Sequence, residues 1–385
     1  MYDTTTEMIS NLLEGAVEEL DIPPELHRAA ELEYDSVGSW LADHADVGGE
    51  GWRVYPQGSF RLGTVVQPEG SDEYDLDAVC VRAIAKESIT QARLKAEMGD
   101  VLGRYLLARA GDPDGPVDQE ERKRCWTLFY RAAFHFDVLP AIPNPETMPS
   151  GILLTDKTLL HWQYSNPIAY ASWFNDRMSR ELVAKRTRLA EAQRIPPEQI
   201  PFSSVKTTLQ RVVQVLKVHR NRYFADDLER RPASILITTL AAHAYQGERD
   251  LEQAVLETAR EMPNHIDYDG NSWLVPNPVE PRENFADKWS EHPELAVAFY
   301  GWLERLQEDL QDARESEGID RAVLRLSESF GEYPIEKAAA RLGDAYHNGR
   351  ERGQLGFAAT SGILSASGSI PVRRHDFYGE RGRAH

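Results

Sequence analysis

The stretch YPQGSFRLGT, residues 55–64, stands seven residues ahead of the acidic run DEYDLD, residues 72–77. YDLDAVCV, which starts at Tyr74, alternates Leu76, Ala78 and Cys80 against Asp75, Asp77 and Val79, the two-residue period of a strand. Successive strand side chains point to opposite faces, so Asp75 and Asp77 project from the same one. Two carboxylates on one face repel unless a cation lies between them, and a pair of divalent ions bound through oxygen is the usual answer. A third carboxylate commonly closes such a site. Asp137 in AAFHFDVLP is the candidate, because Phe136 and Val138 flank it on a second predicted strand. His135 shares that strand face, but hard cations favour oxygen, so it is set aside as a packed or hydrogen-bonded histidine.

The Gly-Ser element supplies the other half. A turn through Gly58 and Ser59 leaves backbone N–H groups free near a helix start, and with the serine hydroxyl these can hold phosphate oxygens. Phosphate turn, paired aspartates and a third aspartate, in that order, suit in-line attack of a ribose hydroxyl on an α-phosphate. Taken singly, the turn is an ordinary strand-to-helix connection and the aspartates are solvent-facing strand residues. Their combination points to the metal site.

The rest of the chain bounds this reading. Its 385 residues suggest two or three lobes at about 150 residues each. A formal charge of −19 argues against a general nucleic-acid coat protein, although a local basic cluster can still serve a small anionic ligand. The two cysteines, Cys80 and Cys125, have no metal-ligand spacing, and the N-terminus lacks the basic and apolar regions of a signal peptide, so a reducing, cytosolic compartment is expected. ASILITTLAAHAY, from Ala233, is too short and too polar at its end to span a bilayer and is predicted to be a buried helix.

Periodicity predicts helices over the first ~45 residues, a strand at WRVYP, helix over ~86–110, and paired strands in CWTLFYRAAFHFDVLPAIP ending at Pro140. Beyond Gly151 the chain is predicted mostly helical. In SSVKTTLQRVVQVLKVHRNRYF, Val205, Leu209, Val212, Val213, Leu216 and Tyr223 form an apolar stripe with Lys206, Gln210 and Lys217 along one edge. YDGNSWLVPNPVEPRENFADKW suggests a turn or short hairpin, and the Gly- and Ser-rich segment from Gly353 a loosely ordered tail. The expected division is a catalytic lobe with N-terminal helices over 1–150, a helical nucleotide-binding lobe over 151–350 and the tail over 351–385.

QGSFRLGT, then YDLD, then FHFDVLP together resemble the DNA-polymerase-β-like nucleotidyltransferases. Within them the chain most resembles the bacterial CD-NTases, relatives of cyclic GMP-AMP synthase and oligoadenylate synthase that make cyclic oligonucleotide signals in antiphage (CBASS) defence. LLTDKTLLHWQYSNPIAYASWF, LQRVVQVLKVHRNRYF and VPNPVEPRENFADKW are similar to segments of that group's helical lobe, and the resemblance covers residues 5–350.

The resemblance implies an α/β (α+β) fold with a mixed-sheet N-terminal lobe and a helical C-terminal lobe. It places two Mg²⁺ or Mn²⁺ ions on Asp75, Asp77 and Asp137, and the triphosphate on Gln57, Gly58 and Ser59, with Thr64 supporting the turn. Lys217 and Ser234 fall where the family offers a lysine and a serine to donor phosphates. Ile235 stands where the animal synthase carries a base-stacking aromatic. Implied partners are nucleoside triphosphates, ATP among them, an effector that responds to the cyclic product, and a regulatory protein at the C-terminal tail. With no zinc-ribbon cysteines, direct DNA sensing is not expected, nor is a membrane. A non-cyclising nucleotidyltransferase acting on RNA, protein or a small molecule is the alternative enzyme. A nucleotide-sensing relative without catalysis is disfavoured by the three intact aspartates.

Overall fold

In a computed structural model, described for residues 4–44, 52–67, 74–131, 134–155, 161–200, 204–352, 356–357, 364–365 and 370–371, seven strands form one mixed sheet. They are β1 (Trp52–Pro56), β2 (Tyr74–Arg82), β3 (Pro116–Glu121), β4 (Trp126–Tyr130), β5 (Phe134–Pro143), β6 (Ile152–Leu154) and β7 (Gln163–Ser165). The order is β1-β2-β5-β4-β3, with β6 and β7 added along the second half of β5. β2 and β5 run parallel, and their register sets Asp75 beside His135 and Asp77 beside Asp137.

β5 was expected to stop at Pro140 and instead continues to Pro143. On one side β5 pairs with β4 through Val138 and with β6 from Ala141. Pro140 falls between these partners, where its missing N–H costs that side no ladder bond.

The alternation in β2 sorts the two sheet faces. Leu76, Ala78 and Cys80 are buried with Phe136 and Val138 against Ala30, Tyr34, Val37 and Leu41 of α2 (Pro24–His44), beneath which lie Met98 and Leu102 from the later segment 91–108. The opposite face carries the aspartates. The short helix α3 (Gly58–Leu62) leaves β1 on that side, and α4 (Gln91–Ala108), capped by the Thr90 side chain, follows β2.

Helices then dominate: α5 (Pro167–Gln193), α6 (Thr208–Tyr223), α7 (Ser234–Ala244), α8 (Leu251–Glu261), α9 (Pro293–Glu315), α10 (Ile319–Phe330) and α11 (Glu332–Glu351). The run from Ser234 is the buried helix expected, and no helix among the described residues is long and apolar enough to cross a membrane. α6 differs from its predicted stripe. It is central to the lobe, buried on every side from Thr208 to Arg220, while Tyr223 is exposed. Its buried polar groups therefore need partners. His219 has two, accepting from Trp302 Nε1 at 2.9 Å through Nδ1 and meeting Asp309 Oδ2 at 2.9 Å through Nε2.

The N-terminal helices divide between the lobes. α2 covers the sheet, whereas Ile9, Leu12 and Leu13 from α1 (Thr4–Glu19) join the core around α6 and α9. The sheet also extends through β6 and β7, so the expected boundary at residue 150 cuts across it. Between α8 and α9 the predicted turn or short hairpin is two hairpins, β8–β9 (Asp267–Tyr268, Trp273–Leu274) and β10–β11 (Pro276–Asn277, Glu280–Asn284). The predicted loose tail lies largely outside the described residues; its described part is three two-residue strands, β12 (Gly356–Phe357), β13 (Leu364–Ser365) and β14 (Ile370–Pro371).

Candidate active site

Asp75 and Asp77 share the face of β2 predicted for them, and the parallel register adds Asp137. Burial, then the charges of Asp75 and Asp137, push the Asp77 carboxyl well above the usual carboxylate range. Asp137 is pushed up mainly by burial and drawn back by the Thr127 hydroxyl, which donates to its Oδ1. Cys125 Sγ donates to Oδ2 at 3.4 Å. Crowded carboxylates resist ionisation until a cation arrives, so these oxygen donors fit a divalent metal.

His135 belongs to the same group, contrary to its exclusion from the sequence. Its Nε2 lies 3.4 Å from Asp75 Oδ1, and ligand atoms of Asp75, His135 and Asp137 all lie within 4.8 Å of one another, an arrangement able to hold a metal ion. A sequence signal existed, since FHFD carries His135 two residues before Asp137 just as YDLD carries Asp75 before Asp77. Thr127 had a weaker one, because only the β4–β5 register places it opposite Asp137.

The Gly-Ser turn packs directly on this group. The Gln57 N–H and the Tyr34 hydroxyl each donate to the Asp77 carbonyl at 2.9 Å. Gly58 has φ +62°, and a Cβ there would meet Asp77 Oδ2 at 2.2 Å. Only glycine satisfies both the left-handed backbone and the contact. Thr64 supports the turn as expected, its N–H donating to Ser59 O at 2.9 Å.

Helix α6 and the residues before it hold the far end of the turn. Gln210 Nε2 donates to Leu62 O, Lys206 Nζ to Gly63 O, Lys217 Nζ to Thr64 O and Gln214 Nε2 to Val65 O, at 2.9, 2.7, 3.0 and 2.7 Å. Four successive carbonyls thus take donors from one stripe. Lys217 does not snorkel. It is 3 % exposed, and burial, then Arg220, bring its ammonium down to about 7.

A cavity of about 720 Å³ opens over these residues. Gln57, Gly58, Ser59, Asp75, Asp77 and Lys217 line one side, and Ser234, Ile235 and Glu283 lie on the helical side. Ser234 opens α7, and its Oγ accepts from Arg220 Nη1 at 2.9 Å, so the hydroxyl is oriented from α6. Asp137 and His135 do not line the cavity, although both stand in register with the aspartates that do.

A carboxylate group on a mixed sheet, a glycine turn against it and a helical lobe across the cavity are the arrangement that the resemblance to nucleotidyltransferases implies. Residues 53–140 match the family model for the nucleotidyltransferase domain of cyclic GMP-AMP synthase DncV-like proteins. The chain is 31% identical over 356 residues to a c-di-GMP synthase of Roseivirga ehrenbergii, covering 90% of this chain and 91% of that protein. It is 26% identical to the cyclic dinucleotide synthase CdnG of Bradyrhizobium diazoefficiens, covering 94% and 92%. The fold of that CdnG, solved with GTP, matches with a TM-score of 0.68 at 21% identity, over 89% of this chain and 100% of the other. Vibrio cholerae DncV in its GTP-bound form matches with a TM-score of 0.54 at 17% identity, over 86% and 87%. The chain belongs to the DncV-like nucleotidyltransferases, the CD-NTase family.

Proposed function

We propose that the chain joins nucleoside triphosphates into a cyclic dinucleotide, with GTP among its substrates, using Mg²⁺ or Mn²⁺, two ions, at Asp75, Asp77 and Asp137. The observation that carries this is the registered Asp77–Asp137 pair with the Gly58 turn against it, in a chain whose full-length relatives are named as cyclic dinucleotide synthases.

In this reading Gln57, Gly58 and Ser59 hold the donor triphosphate, and Ser234 offers a hydroxyl from across the cavity. Lys217 adds positive potential beside the phosphates while its hydrogen bonds fix Thr64. Bound metal supplies activation of the attacking hydroxyl and charge compensation on the departing pyrophosphate. The ribose hydroxyl of one nucleotide loses its proton to solvent, its oxygen bonds to the α-phosphorus of the other, the bond from that phosphorus to the β-phosphate bridge breaks, and pyrophosphate leaves. Repetition within the linear product closes the ring. The cytosolic setting rests on the cysteine usage, and the defence role, an effector that responds to the product and a regulatory partner at the tail rest on the family resemblance.

The test is incubation of the protein with all four ribonucleoside triphosphates and Mg²⁺ or Mn²⁺, followed by phosphatase and mass spectrometry. A phosphatase-resistant cyclic product that Asp75→Ala abolishes is the expected result. Linear products or a labelled acceptor would instead establish the non-cyclising alternative.

A further inference from the structure

Glu283, on β11, faces the cavity from the helical lobe and belongs neither to the metal group nor to the phosphate turn. Its carboxylate accepts from Asn277 Nδ2 at 2.7 Å and from the Ser165 hydroxyl at 3.2 Å, all three residues lining the cavity. Oε1 has one long contact, 3.4 Å to that same hydroxyl. No cation forms an ion pair with it among the described residues. A carboxylate has room for about four hydrogen bonds, so acceptor capacity is left over on a group placed at a ligand cavity. Its neighbour Arg282 is engaged elsewhere, 3.7 Å over the Tyr164 ring and paired with Glu280 and Glu146.

We infer that Glu283 selects guanine, accepting the N1–H and N2–H donors of a bound GTP. This rests on the proposed nucleotidyl transfer and names the residue that chooses its base. Guanine presents those donors side by side, matching two carboxylate oxygens. Adenine presents a lone pair at N1 beside its N6 amine, so an ionised carboxylate repels the first and accepts only from the second. A site built to pair with polar substrate groups rejects analogues that lack them, because its own buried groups are left unmatched.

Burial pushes the Glu283 carboxyl up to about 7 despite the donors from Asn277 and Ser165. The other groups that face it are Glu280 on its own strand, Arg124 ahead of β4 and Tyr170 on α5. Guanine's two donors favour the ionised form. The protonated acid, which can donate to adenine N1 and accept from N6, favours adenine instead. Preference for GTP over ATP therefore rises between pH 6 and pH 8.

The experiment is equilibrium binding of GTP, ITP and ATP to the full chain and to Glu283→Gln, which needs no turnover and so separates this assignment from the activity. Wild type is expected to bind GTP about 10- to 100-fold tighter than ATP at pH 8, with ITP, which lacks the N2 amine, between them. Glu283→Gln keeps an acceptor for Asn277 and Ser165 but presents an amide, so its preference moves toward ATP and loses its pH dependence. Unchanged GTP-to-ATP ratios in the variant, or no GTP preference in wild type, overturn the assignment. If base preference shifts while no nucleotide is joined, Glu283 stands and the proposed reaction falls.

Discussion

Strand β2 and helix α6 meet the Gly-Ser turn from opposite sides by different means. β2 brings charge. Two aspartates emerge from one strand face, and the Asp77 carbonyl takes the first N–H of the turn. α6 and Lys206 just ahead of it bring donors, since Lys206, Gln210, Gln214 and Lys217 each give a hydrogen bond to a backbone carbonyl of residues 62–65. The strand side stores unfavourable electrostatics for use with a cation, whereas the helix side uses satisfied hydrogen bonds to fix where the turn lies. Substitutions on the two sides should therefore fail in different ways.

The sharpest break is expected on the strand. Asp75→Ala or Asp77→Asn should lower turnover by at least about 10³-fold, measured as pyrophosphate release. Asp77→Asn should also raise the metal-free melting temperature at pH 8. The folded-state proton affinity of Asp77 is raised, so its favourable contribution is present below the unfolded carboxylate pKa and lost as pH rises through the folded one. The stability gap between variant and wild type should accordingly shrink toward pH 4 and on addition of Mg²⁺; a gap independent of both would remove carboxylate crowding as the cause.

Next is Gly58→Ala, which tests where the two sides touch. Its Cβ displaces Asp77 and its backbone is strained, so about 10²-fold loss of turnover is expected, with about 1–3 kcal/mol of stability lost in denaturant melts. Thr127→Val removes the hydroxyl donor to Asp137 and should weaken metal activation about tenfold in a Mn²⁺ titration, with saturated turnover changed less. Ser234→Ala carries the smallest effect, about fivefold on KM for the triphosphate, because its hydroxyl, held by Arg220 Nη1, offers the phosphates a single hydrogen bond. A larger loss from Ser234→Ala than from Thr127→Val would reverse the assigned balance between the lobes.

The same contrast explains what was legible in the sequence. A two-residue period is enough to put Asp75 and Asp77 on one face, and apolar neighbours make Asp137 conspicuous. His135 was visible in the same period but was discarded on ligand preference, which ignores a histidine standing in register beside Asp75. On the helix, periodicity placed Lys206, Gln210 and Lys217 along one edge but gave no hint of the carbonyls they meet, about 150 positions away in the chain, because such pairing depends on tertiary packing. Nor did it show that α6 is buried all round, since residues outside the apolar stripe such as Arg211 and Gln214 are polar and find partners inside the protein. Glu283 lay in a segment read as a turn or short hairpin, with no site residue assigned to it. Its position emerges when β11 pairs with β10 and brings Asn277 alongside.

The row of donors from α6 also has a mechanical consequence. The turn begins on a strand of one lobe and ends pinned, carbonyl by carbonyl, to a helix of the other, much as a rivet crosses two plates. Spreading the plates at that point would mean shearing four hydrogen bonds or dragging the turn away from Asp77. Compliance during loading and release is therefore best sought on the far rim of the cavity, around α7 and the β10–β11 hairpin, with the riveted edge serving as the fulcrum.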